Sequence, residues 1–334
     1  MRNLDKFNVD NLPGFDGGAT TLAQLPNKED LFTLVGEDKS LESERIATAP
    51  YSYFKSVFKV FFKNPGAIIG LVVLGLIVLG ALIIPFFTPE GFLSIDKNRV
   101  HLLPGGPHIL GCDIEGKDLF YAIWTGIRKS LTLAVVSASI NVVVGTIAGL
   151  IWGFFRKLDV FFIGLYNLIS NIPGLLIYML LALVLRATFP QMQDEVRLVI
   201  SLTFTGWVGL SQFVRNQTLI ILNREYNLAS YTLGTPARRI MTKNLLPYLL
   251  AVIVTQGSLM IPGMISSEVG LSFFGLGLHV NKISLGSLIE NGRKNFTLYF
   301  HEFLWPSVAL ALIILAFFLI GFALSDSLDP RRHR

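Results

Sequence analysis

The 334-residue chain is 52% hydrophobic and only 15% charged, where an ordinary soluble domain carries about 25% charge, so a water-soluble globular protein is excluded and lipid is the expected solvent. The formal charge of +5 does not point to nucleic acid, because the basic residues flank apolar runs instead of forming one soluble face. With Cys112 as the single cysteine, an internal disulfide and any cysteine-based zinc or iron–sulfur site within this chain are excluded as well.

Residues 1–50 are polar and acidic, from Asp5 and Asp10 to Glu42 and Glu44, and lack the basic start and apolar segment of a signal peptide; they are expected to form a cytoplasmic tail. Residues 51–63 then place Lys55, Lys59 and Lys63 on one helical stripe, with Phe54, Phe58, Phe61 and Phe62 largely outside it. This pattern predicts an amphipathic helix in the headgroup layer, its lysines toward anionic lipid.

Six uncharged stretches approach the roughly 20 residues that a helix needs to cross a hydrocarbon core. They are 64–89, 130–155, 160–185, 198–214, 244–267 and 303–325, the fourth being the shortest and most polar. The first is followed by an outer loop and lead-in helix over 90–129, and a core domain over 130–325 holds the other five. A basic tail closes the chain at 326–334. More Lys and Arg fall on the segments that are inner when the N-terminus is inside, which predicts both termini in the cytoplasm of a bacterial cell membrane.

Within the second stretch Gly145, Gly149 and Gly153 recur every fourth residue, which would let another helix approach closely. Pro173-Gly174 and Pro262-Gly263 are expected to interrupt the third and fifth stretches as kinks, hinges or cavity linings. Asn141, Asn171, Thr255, Gln256 and Ser258, with Asn167, are polar residues inside stretches; they either line a path or bond between helices.

No catalytic constellation emerges. Gly111 to Lys117 satisfies G-x-x-x-x-G-K, but Asp118 stands where Ser or Thr would hold magnesium and no buried strand precedes it. His101, His108, His279, His301 and His333 are all read as lying in loops or the tail, and no H-E-x-x-H or G-x-S-x-G occurs. Carboxylates within the stretches are nearly absent, which argues against proton-coupled pumping.

The segment between the fourth and fifth stretches reads as helix, break, helix. Gly234 suits the left-handed position that ends a helix, Thr235 is expected to cap the next, and Pro236 to be its first residue. Glu225 and Ala229 share a face, with Ala229 and Ser230 offering small side chains. On these grounds alone the hairpin is either a connector or a docking site.

The run of Glu225, the small pair Ala229 and Ser230, Gly234, Arg238 and then Leu246-Pro247 resembles the EAA loop of bacterial binding-protein-dependent ABC permeases. Residues 108–119 with 126–131, the run Glu268-Val-Gly-Leu-Ser-Phe-Phe-Gly-Leu-Gly, and Leu328-Asp-Pro-Arg are similar to OppC/DppC-type permease subunits. Residues 52–85 and 166–173 look like the Gram-positive oligopeptide (AmiD/OppC) branch. Cys112 stands where that family usually has Thr, Lys117 where Arg is common, and Ser230 where a second Ala often sits.

The resemblance implies an all-α membrane protein of the type I ABC importer permease fold, with about six transmembrane helices and a cytoplasmic coupling helix. It implies a non-catalytic subunit without cofactor of its own, ATP and Mg residing on partner ATPases. Further partners would be a second related permease, two ATPases, an extracellular substrate-binding lipoprotein, membrane lipid and a peptide. A permease for dipeptides, nickel or another small solute, an ATPase-independent secondary transporter, and a membrane scaffold remain alternatives.

Overall fold

In a computed structural model, residues 53–278 and 282–328 are described, and no strand occurs among them. The acidic tail expected over 1–50 and the last residues of the basic tail lie outside this range. Helix α1 (Tyr53–Phe61) buries Val57 and Phe61 and exposes Phe58 and Lys59, as an amphipathic helix lying on the bundle should. Asn64 accepts a hydrogen bond from the Gly66 N–H (2.9 Å) to cap α2 (Pro65–Ile83), which a short 3-10 turn extends to Phe87.

Helix α3 (Leu119–Phe154) is one unbroken rod, so the separate lead-in helix and the boundary expected at residue 130 are not observed. Arg128 and Lys129 each meet a partner: the exposed Arg128 lies over the Phe86 ring at 5.4 Å, and Lys129 pairs with Glu195 at 2.8 Å. Helices α4 (Asp159–Ser170) and α5 (Gly174–Thr188) meet at a bend of 88°. The break at Pro173 follows from chemistry, since proline has no N–H to continue the ladder and disfavours helix in the residue before it.

Helix α6 (Asp194–Leu222) is longer at both ends than the 198–214 stretch. Its charged first turn stays helical because Asp194 pairs with Arg197 (2.7 Å) while Lys129 and Lys282 (2.5 Å) both reach Glu195. After the hairpin, α9 (Leu246–Phe273) continues through Pro262 as one helix, so the helix break expected there is absent. Pro262 is buried, and neighbouring groups compensate for its missing N–H in such settings. Helix α10 (Leu285–Lys294) is capped by Ser284, and α11 (Phe300–Leu328) completes the bundle; its first turn holds His301, which was expected in a loop.

Among the described residues, four helical segments are long and apolar enough to cross a membrane: Pro65–Phe87, Leu119–Phe154, Ala237–Phe273 and Phe300–Leu328; the bent pair α4–α5 is either a fifth, broken span or a re-entrant loop. Helix α6 has the length but is less apolar than these. Apolar side chains such as Leu76, Leu79, Leu180 and Phe322 face outward, as in a protein solvated by lipid.

The closest helix pair is α3 with α6. A Cβ on Gly145 would come within 2.9 Å of the Trp207 carbonyl, one on Gly149 within 2.5 Å of the Ser211 carbonyl, and one on Gly153 within 2.7 Å of Thr218 Cβ. The glycine stripe therefore does what its spacing predicts. Because both registers ascend together, α3 and α6 run parallel, and α4–α5 must carry the chain back along the bundle. This arrangement defines two ends: a hairpin end, where α6 leads into α9, and a loop end, where residues 88–118 lead into α3.

Candidate functional site

At the hairpin end the chain leaves α6 and turns into α7 (Glu225–Thr232), then α8 (Ala237–Arg239), a π-helical stretch (Ile240–Leu245) and α9. Asn227 is the anchor of this segment, fully buried while its neighbours are exposed. Its Nδ2 donates to the Ile221 carbonyl (2.8 Å) in the last turn of α6, and its Oδ1 accepts from Asn244 Nδ2 (3.1 Å) just before α9. One side chain thus ties α7 to both helices that flank the hairpin. Ile240 and Leu245, wholly buried beside Val214 and Leu249, seat the second arm.

The hairpin's surface is unusually apolar. Tyr226, Leu228 and Tyr231 are exposed, and Leu233 is 85% exposed at the tip. Glu225 and Ala229 stand exposed one turn apart on α7, and Ser230, partly buried, donates its hydroxyl to the Tyr226 carbonyl (2.8 Å). Around this face Arg224, Arg238, Arg239 and Lys243 are exposed cations. Leu246 and Pro247 open α9, Leu246 half-buried and Pro247 exposed.

Gly234 has φ of +77°, the left-handed position expected of it. Its N–H donates to the Tyr231 carbonyl (3.0 Å) and the Thr235 N–H to the Ser230 carbonyl (3.1 Å), the paired bonds of a Schellman stop. This corrects two local expectations. Thr235 does not cap the second helix, because Pro236 takes the N-cap position before α8 (φ −64°, ψ 142°) and is not that helix's first residue.

Beside the hairpin, Asp159 Oδ1 accepts from Trp152 Nε1 (2.8 Å) and from Arg215 Nε and a terminal guanidinium nitrogen (3.0 and 2.7 Å). The Arg215 guanidinium also covers the Trp152 ring at 5.0 Å. Helices α3, α4 and α6 are thereby pinned together about three turns before α7 begins. Nothing in the sequence flags this cluster, since its members are 7 and 56 residues apart.

The polar residues inside the helices divide. Asn141 is fully buried where α3, α6 and α9 meet, its Nδ2 3.4 Å from the Leu202 carbonyl. Thr255 is buried and donates to the Ala251 carbonyl, and Ser258 to the Val254 carbonyl, bonds internal to α9. Asn167 and Asn171 are exposed, Asn171 at the α4–α5 break, and Gln256 is half-buried.

A residue missed by sequence reasoning dominates the loop end. Glu268 lies inside α9, one residue past the expected stretch, and is 1% exposed. Its Oε2 accepts from Ser130 (2.9 Å), and its Oε1 from Ser272 (3.0 Å) and Ser284 (2.8 Å), joining α3, α9 and the cap of α10. Nearby, His108 Nδ1 lies 2.7 Å from Asp118 and His101 Nδ1 2.5 Å from Glu302. The run from Gly111 to Lys117 is a folded loop rather than a phosphate cradle: the Asp113 carboxylate accepts the Glu115 and Lys117 N–H groups (2.9 and 2.8 Å), and Lys117 is buried against Glu115. Burial pushes Asp113 up to about 6 despite those bonds, and pushes the enclosed Cys112 thiol up to about 11, which leaves it unreactive. No group of metal-ligating side chains occurs among the described residues.

A helical bundle with an apolar exterior, an uncovered helical hairpin at one end and a largely self-bonded polar cap at the other is a multi-pass membrane protein. Residues 141–334 match the family described as binding-protein-dependent transport system inner membrane component, and the chain belongs to that family. Residues 52–104 match the N-terminal TM domain of oligopeptide transport permease C. The oligopeptide transport system permease protein AmiD of Streptococcus pneumoniae is 39% identical over 296 residues, 87% of this chain and 94% of that one. In Bacillus subtilis, the dipeptide transport system permease protein DppC is 31% identical over 313 residues (93% and 95%), and the oligopeptide permease OppC 30% over 291 (87% and 93%).

Proposed function

We propose that this chain is the non-catalytic permease subunit of an ATP-driven importer in the bacterial cell membrane, that its cargo is oligopeptide, and that residues 225–247 couple it to the motor. In this reading the chain crosses six times, through α2, α3, α4–α5, α6, α9 and α11, with the hairpin and both termini in the cytoplasm. A second related permease completes the path. Two ATPases, which carry the ATP and Mg, receive α7, and an extracellular binding lipoprotein delivers the peptide.

The observation that carries this reading is the exposed apolar face of α7 on a helix anchored from within by Asn227. Such a surface is what a partner protein covers. A push on α7 would reach α6 and α9 together through Asn227, and α3 and α4 through Arg215 and Asp159, rocking the helices as units. Exposed Asn171 and half-buried Gln256 are the better candidates for the path, whereas Asn141, Thr255 and Ser258 serve packing or bond within α9.

Replacing Gly234 by Val tests the coupling role. A β-branched residue at φ +77° is strained by roughly 1–2 kcal/mol, so the Schellman stop shifts and α7 is misaimed. Peptide uptake is expected to fall at least about tenfold while membrane insertion stays normal; near-normal uptake would overturn the assignment.

A further inference from the structure

At the loop end a cavity of 190 Å³ is lined by Arg186 from the end of α5, Gly275 and Gly277 from the turn after α9, and Ser287, Asn291 and Lys294 from α10. Its size is below the roughly 300–1,000 Å³ of a pocket that encloses a whole small molecule, so it suits the end of a chain better than its length. Glu290 also lines it, but this carboxylate is already neutralised by Lys294 (2.9 Å) and Arg293 (3.6 Å). Arg186 is exposed and has no ion pair or hydrogen bond to the described residues. The uncompensated charge facing the cavity is therefore cationic, and guanidinium is the donor best matched to a carboxylate.

The walls are held in place by bonds that owe nothing to a ligand. Ser272, another lining residue, gives its hydroxyl to Glu268, as does Ser284, and Ser284 and Ser287 form the reciprocal capping box that starts α10. The α9 turn and the first turn of α10 are thus fixed by one buried carboxylate, as a preorganised site requires.

Resting on the reading of the chain as a peptide importer, we propose that this cavity receives a carboxylate of the passing peptide, bound by Arg186 with Asn291 and Lys294 as flanking donors. The carboxylate is either the free C-terminus or an acidic side chain. The site lies at the end opposite the hairpin, where cargo enters in the orientation proposed above.

The test uses the complete transporter in proteoliposomes with one binding protein throughout, subsaturating peptide, and thermal stability as a folding control. One arm compares a neutral peptide with its C-terminal amide. The other compares amidated peptides that differ by one Asp or Asn. The wild-type protein is expected to favour the carboxylate form at least about tenfold in one arm. That preference should fall below about twofold in Arg186→Ala, reverse in Arg186→Glu and partly persist in Arg186→Lys, and the arm that changes names the source of the carboxylate. Should Arg186→Ala fail to assemble, Arg186→Gln carries the same comparison. Peptide transport whose preference is unchanged by Arg186 substitution in both arms overturns this site alone, whereas a wild-type complex that moves none of the peptides overturns the peptide-importer reading itself.

Discussion

The two ends of the bundle satisfy their polar groups in opposite ways. At the loop end, Glu268, His108 and Asp118 are buried and bonded to side chains of the same chain. At the hairpin end the backbone is well bonded, but Tyr231, Leu233 and the surrounding arginines stand in the open with Asn227 as the single buried polar tether of α7. The loop end satisfies most of its buried polar groups within the subunit, though not His301 Nε2 or Glu302 Oε2, whereas the hairpin end leaves an apolar face uncovered.

The largest effect should come from breaking the closed end. Glu268→Ala leaves the Ser130, Ser272 and Ser284 hydroxyls without their acceptor, at roughly 1–3 kcal/mol for each buried group stranded. Thermal unfolding of the detergent-purified complex should shift down strongly, with Glu268→Gln intermediate; an unshifted midpoint would mean that the cap is not self-contained. Next, Gly149→Leu inserts a side chain where even a Cβ lies 2.5 Å from the Ser211 carbonyl. Overpacking of about 1–3 kcal/mol is expected, read as a lower midpoint and less protein in the membrane.

A smaller stability change, about 1 kcal/mol, is expected of Asn227→Ala, and it sharpens the contrast. Uptake should drop several-fold more than stability accounts for, because α7 loses its link to α6 and α9; proportional losses would make the hairpin a plain connector. The smallest effect concerns pH. Asp113 is raised to about 6 from an ordinary 3.8, so its contribution to stability is full below pH 4 and is lost as pH rises through 6. Asp113→Asn should flatten that slope in proteolysis of the 88–118 loop, and an identical slope in both proteins would exclude Asp113 as its source.

What could be read in the sequence was whatever a local rule forces. Gly145, Gly149 and Gly153 announce close packing by their spacing, Gly234 announces a left-handed stop, and Pro173 a break, each without knowledge of a partner. Glu268 was not legible, because it borders an apolar stretch and its partners Ser130 and Ser284 lie 138 and 16 residues away. Asn227 was hidden differently, as one polar residue in a polar segment whose burial depends on how α6 and α9 converge. Thr235 and Pro262 misled because a local preference, capping in one and breaking in the other, yielded to Pro236 at the N-cap and to helix neighbours.

The glycine stripe on α3 also bears on how the protein is made. Helix α6 is the least apolar of the long helices, and its Ser201, Thr205, Ser211 and Thr218 are all buried in the finished bundle. If it crosses as proposed, those side chains meet lipid unless a partner helix is already in place. The bare face of α3, synthesised earlier, is that partner. Bulky residues on that face should therefore strand α6 during biogenesis, so that fewer correctly threaded chains reach the membrane whatever the stability of those that do.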